Sequence, residues 1–295
     1  MHQQRQAVLY IVIAIVAGTT MDALLKVAGG RMGTWNLLAL RWLFALVILL
    51  PVALRASVNP LRMHAPRVHI ARGVLNCLGS YALFYALTVL PLSVVMTILF
   101  AEPIFVIPFA ALLLRERLGV KDALAALLGL GGVILMGQPG AGPGDWTMVL
   151  PMLAAGSFAL LHVLTKKWGS QESPVSLMIW MAISTLLMTT PFATGEWAVL
   201  PWGDYALVLF IAFLGSVFSY FWILGLRLGA VARLSQLTFL SLPLAYGIGW
   251  LFFDEVPGPA VIGGGLLIVA AVALLSLDMA RLGACLLYTS PSPRD

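Results

Sequence analysis

The chain has 295 residues, of which 61% are hydrophobic and only 10% charged, and its mean hydropathy is +1.00. A soluble domain is about 45–50% apolar and about 25% charged, so this composition excludes a soluble enzyme, a disordered chain, a coiled coil and a collagen. The net charge of +5 and a pI near 9.5 raise nucleic-acid binding as an option, which the placement of the charges then removes.

Apolar runs of about 20 residues are long enough to cross a bilayer as helices, and they lack the alternating polarity of a membrane β-barrel. Taken in chain order, hydropathy and breakers predict spans at 7–27, 34–54, 70–89, 92–114, 121–137, 146–168, 174–192, 204–226, 230–253 and 259–279. The first span contains Asp22 and no A-x-A cleavage site, so it reads as a retained helix rather than a signal peptide. Gly29-Gly30, Pro91, Pro139 to Pro143, Pro201 and Pro257 to Pro259 punctuate the junctions. The expectation is an all-α polytopic membrane protein with ten transmembrane helices and no room for a folded soluble domain. The stretch 282–295, ending YTSPSPRD, reads as a vector-encoded tail.

With the N-terminus inside, thirteen Lys and Arg residues fall in cytoplasmic segments and only Arg31 in an outer loop. Such a bias orients helical membrane proteins. It predicts both termini in the cytoplasm and an inner (cytoplasmic) membrane location. The basic pI then faces anionic lipid, and no nucleic-acid partner is expected.

The chain also repeats itself. LGSYALFYAL at 78–87 matches LGSVFSYFWILGL at 214–226, Pro103 matches Pro243, Arg115-Glu116 matches Asp254-Glu255, and ALLK at 23–26 matches VLTK at 163–166. The shift of about 136–140 residues divides the chain into two five-helix units, 1–137 and 138–281. Five is odd, so the units are inverted in the membrane. Inverted repeats place a substrate site near the midplane between two halves that can rock.

Glu102-Pro103 in the fourth span, Glu116 and Glu255 closing that span and its repeat, and Arg41 within LRWLFAL resemble the EamA-type repeats of the drug/metabolite transporter superfamily. Leu242-Pro243 departs from the pattern by lacking the Glu. The aromatic third and eighth spans resemble the amino-acid exporter branch (YddG-like). That resemblance implies secondary export of aromatic or bulky apolar amino acids by alternating access. Efflux of another metabolite or a cationic drug is the alternative. A channel or membrane-embedded enzyme is the reading from another class.

Polar groups inside the membrane carry the candidate chemistry. Asp22 and Lys26 share a face of span one, and Arg41 enters span two at comparable depth. They read either as an ion pair tying helices or as a gate. Glu102 sits mid-span before Pro103, with Pro108 beyond; it reads either as a proton or ammonium acceptor or as a neutral acid bonded to a carbonyl. Pro103, Pro108 and Pro243 are candidate kinks. His162 is placed to bind a carboxylate or to make an interhelical bond. Asn76, Ser80, Tyr81, Phe84 and Tyr85, with Ser219, Tyr220 and Trp222 in span eight and Gln236 and Phe239 in span nine, mix aromatic and polar surface as a ligand with an apolar body and polar ends requires. Trp35, Trp146, Trp168, Trp202 and Trp250 read as interfacial belt. Gly129 to Gly132 and Gly263 to Gly265 suit close helix packing, within the chain or in a weak homodimer. No ATP-binding, haem or metal motif appears, so no cofactor is expected, and the partners are small-molecule amino acids and the lipid bilayer.

Overall fold

A computed structural model describes residues 2–55, 66–99, 102–114, 124, 127–129, 131–132, 134–135, 145–168, 172–193, 200–228, 241–256 and 258–271. Lipid offers no hydrogen-bond partners, so these apolar segments satisfy their backbones internally as helices. In chain order they are α1 (His2–Gly29), α2 (Thr34–Leu54), α3 (Pro66–Val89), α4 (Leu92–Leu99), α5 (Glu102–Leu114), a 3-10 turn (Asp145–Met148), α6 (Val149–Trp168), α7 (Pro174–Ala193), α8 (Trp202–Leu228), α9 (Ser241–Phe253) and α10 (Pro259–Ala271). Among the described residues, six helices are long and apolar enough to cross a membrane, and shorter apolar helices accompany them. The protein is a multi-pass helical membrane protein.

The predicted spans and the helices agree closely at 34–54, 146–168 and 174–192. The predicted fourth span is described in two pieces, α4 and α5. Pro103 and Pro243 lie close behind residues 100–101 and 229–240, which are outside the described residues. Pro108 lies inside α5 and is exposed. Most of the predicted fifth span, the start of the ninth, and 282–295 lie outside the described residues.

The helix pairing carries the internal symmetry. α1 packs on α8, and α6 packs on α3; α2 packs on α8, and α7 on α3; α2 meets α7, and α4 meets α9. Exchanging the two halves reproduces this pattern, so the main contacts run between halves. Small residues make the close approaches possible. A Cβ at Gly79 of α3 would lie 2.9 Å from Phe158 of α6, and one at Gly18 of α1 would lie 2.9 Å from Phe218 of α8. A Cβ at Gly132 would lie 2.6 Å from the Gly264 carbonyl oxygen, so these glycine-rich stretches pack against each other within the chain.

The largest core cluster joins Leu25, Leu37, Leu38, Leu87, Leu92, Val208 and Ile211 from both halves. Trp146, Trp202 and Trp250 are exposed, as an interfacial belt requires. Trp35 differs from its predicted belt role. It is half-buried in a stack with Tyr81 of α3 at 4.1 Å and Phe192 of α7 at 4.6 Å, because α2, α3 and α7 converge there.

Candidate functional site

Glu102 lies on α5 and His162 on α6, so the two belong to opposite halves. Their side chains meet, with His162 Nδ1 and Glu102 Oε1 2.6 Å apart. Each remains about a quarter exposed, at 29% for His162 and 26% for Glu102. An acid–imidazole contact shares a proton whichever group formally holds it, and it gives a small ligand both a donor and an acceptor. Trp222 of α8 covers the imidazole at 5.8 Å, and Phe218 stacks on Trp222 at 5.6 Å.

Gly215, Phe218, Ser219 and Trp222 are spaced i, i+3, i+4 and i+7, which puts them on one face of α8. At the Gly215 end of this stripe stands Arg41. Its guanidinium lies over Trp42 at 4.1 Å, faces Phe84 at 6.0 Å, and donates from Nη2 to Met21 Sδ at 3.6 Å. Arg41, Trp42, Met178, Met181, Ser216 and Ser219 line a small pocket here. A Cβ at Gly215 would lie 2.5 Å from Arg41 Nη2, so only glycine leaves the guanidinium its place. The stripe from Gly215 to Trp222 rises about 10 Å and links the Arg41 region to the Glu102–His162 contact.

Lys26 does not bond Asp22, the partner its helical spacing predicts. Its ammonium donates to Glu255 Oε1 at 2.5 Å and to the Leu90 carbonyl at 3.0 Å, and lies 5.4 Å from the Phe253 ring centroid. Glu255 Oε2 accepts from the Leu92 N–H at 2.8 Å. The turn that delivers Glu255 passes through Asp254 at φ 53°, in the left-handed region. One ion pair thus ties the end of α1, the start of α4 and the end of α9. The i, i+4 spacing gave Lys26 and Asp22 the same helix, but α9 brings a carboxylate that is closer in space. Asp22 and Arg41 make no direct ion pair either.

The opposite end of the bundle has its own polar cluster. His69 Nε2 and Glu172 Oε1 are 2.7 Å apart, Ser176 donates to Glu172 Oε2 at 3.2 Å, and Arg72 Nε donates to Thr165 at 3.1 Å. Arg227 donates to the Glu172 carbonyl.

The other sequence-predicted residues divide by face. Asn76 is buried and donates to Thr185 of α7 at 2.9 Å, so its amide serves a helix contact. Ser80 and Phe84 are buried beside it on α3. Tyr81 and Tyr85 stack at 6.2 Å and continue the Trp35 cluster. Tyr220 lies on the exposed side of α8, edge-on to Phe221, away from the Trp222 stripe. Gln236 and Phe239 lie outside the described residues. Phe218 and Met21 join the interface without having been singled out. Phe218 was findable, since it falls three residues after Gly215 and four before Trp222.

The model of the EamA-like transporter family matches this chain twice, over residues 5–138 and 145–277. The chain belongs to the EamA-like transporter family. Among its relatives is the S-adenosylmethionine uptake transporter of Rickettsia prowazekii, 24% identical over 266 residues and covering 90% of each chain. The riboflavin transporter of Rhizobium johnstonii is 29% identical over 240 residues, covering 81% of this chain and 80% of that one. The pseudopaline exporter CntI of Pseudomonas aeruginosa is 26% identical over 279 residues, covering 92% and 96%. A crystal structure matches with a TM-score of 0.67 at 24% identity, covering 94% of this chain and 98% of its own, and shows that this EamA-like fold is shared. The two matched stretches confirm the repeat, and the family is one of transporters of small metabolites rather than of enzymes.

Proposed function

We propose that the protein is a secondary transporter carrying amino acids, aromatic or bulky apolar ones, across the cytoplasmic membrane by alternating access between its two halves. The observation that carries this reading is the Glu102–His162 contact. It joins opposite halves, stays about a quarter exposed, and sits under the Phe218–Trp222 aromatic face. A hydrophobic side chain gains from such a face, with each aromatic contact contributing about 0.5–1.5 kcal/mol. The polar ends of an amino acid need the kind of donors and acceptors that Glu102, His162, Ser219 and Arg41 offer. One relative's substrate, S-adenosylmethionine, is by its name a methionine derivative. Export is the direction the amino-acid branch implies; relatives named for uptake and for export make both directions worth reading.

Purified protein in liposomes loaded with unlabelled phenylalanine tests this. Labelled phenylalanine, tryptophan and methionine should accumulate by counterflow, and a panel containing S-adenosylmethionine and riboflavin sets the class. A second reading, transport of a flat heteroaromatic metabolite, is favoured by the stacked Phe218 and Trp222 rings with His162 tilted against them. Exchange of riboflavin with no exchange of any amino acid would select it.

A further inference from the structure

Asp22 and Arg41 are an acidic and a basic side chain on neighbouring helices inside the membrane, yet they do not bond each other. Asp22 Oδ1, Arg41 Nε and Arg41 Nη1 are all buried without a hydrogen-bond partner. Arg41 is only 7% exposed. Buried ionic groups are normally paired, because desolvation without compensation is costly. Arg41 Nη2 reaches the sulfur of Met21, the residue before Asp22, so the two groups lie one residue apart along that contact while keeping hydrogen-bonding capacity free. The arrangement is also held in place. Trp42 supports the guanidinium face, Met21 takes Nη2, and Gly215 is cut back to leave it room. Arg41 lines the pocket it shares with Ser219, at one end of the α8 stripe that runs about 10 Å to Trp222 and His162.

We propose that Asp22 and Arg41 form the receptor for a zwitterionic head group, the substrate carboxylate meeting Arg41 and its ammonium meeting Asp22, with the substrate side chain lying along Phe218 and Trp222. A zwitterion satisfies both idle groups at once and adds no net charge to the membrane interior. An amine alone leaves Arg41 bare, and an acid alone leaves Asp22 bare. Neither position is duplicated as a charge. The shift of 140 residues that aligns Lys26 with Lys166 puts His162 opposite Asp22 and Met181 opposite Arg41. This inference rests on the amino-acid reading and narrows it to the chemistry that selects the substrate.

The test is competition in the counterflow assay. Phenylalanine, phenethylamine (ammonium only) and 3-phenylpropionate (carboxylate only) compete against labelled phenylalanine. The native protein should be inhibited by phenylalanine and by neither analogue. Arg41→Met should raise the half-inhibiting phenylalanine concentration about tenfold or more and bring phenethylamine level with it. Asp22→Asn should do the same for 3-phenylpropionate. Should Arg41→Met fail to fold, Gly215→Ala moves the guanidinium without removing it, and should raise KM while leaving the purified protein monodisperse. Folded Arg41→Met or Gly215→Ala protein with unchanged selectivity overturns the head-group assignment. So does full activity in the charge swap Asp22→Arg with Arg41→Asp, which would mark a structural pair. Equal inhibition of the native protein by all three compounds overturns the assignment and leaves amino-acid transport standing. Absence of any amino-acid counterflow in the native protein removes both.

Discussion

Glu102 and His162 are separated by 60 residues in the chain and by 2.6 Å in space. Each is recognisable in the sequence as a polar group in an apolar helix, but no periodicity relates residues on helices from different halves, and their pairing was not legible. The same limit explains Lys26. Helical spacing offers Asp22, whereas the bonded carboxylate is Glu255, 229 residues away. At this scale Glu102→Gln should lower counterflow at least about tenfold, the effect of a lost charge-assisted hydrogen bond, with the purified protein still monodisperse on gel filtration. Wild-type rates in that variant would remove Glu102 from the path. Asn76 should behave differently. Its bond to Thr185 joins α3 to α7, so a double-mutant cycle of Asn76→Ala and Thr185→Val should return a coupling of about 0.6 kcal/mol in stability, with transport by the folded fraction retained. Tyr220 and Trp222 could have been told apart beforehand, because only Trp222 shares the Gly215–Phe218–Ser219 face.

Helices as units were the most legible part, since unbroken apolar runs with Pro or Gly at their ends leave few alternatives in a bilayer. Their neighbours were less so: the sequence said which residues are small, not which helix they would meet. Gly132 illustrates the difference, being predicted to pack closely and found against the Gly264 carbonyl. Gly132→Leu forces side-chain atoms against backbone that cannot move aside. It should cost about 1–3 kcal/mol, read as a lower melting temperature in detergent. The Lys26–Glu255 pair makes a second prediction for elements, because it joins α1, α4 and α9 at one end. Glu255→Gln weakens the bond to Lys26 and should loosen that end. A cysteine at Ser219, in a Cys77→Ala and Cys285→Ala background, should then react faster with a membrane-impermeant thiol reagent added outside. An unchanged labelling rate would mean that the pair does not close the route to the pocket.

For the whole molecule, the positive-inside asymmetry predicts a topology that can be checked from either side. In the same cysteine-free background, Arg31→Cys should be labelled in intact cells and Lys167→Cys only after permeabilisation; the reverse result would invert the orientation. The two-fold repeat was readable because Lys26 with Lys166 and Pro103 with Pro243 preserve one offset. The interlocking of the halves was not readable, because an offset says nothing about which copies touch. That interlocking has a consequence for assembly. α1 rests on α8 and α6 on α3, so neither matched repeat can complete its own packing, and each supplies the other's missing neighbours. Severing the polypeptide between residues 137 and 145 and producing both fragments in one cell should therefore yield a working pair, whereas either fragment produced by itself should be degraded as an orphan.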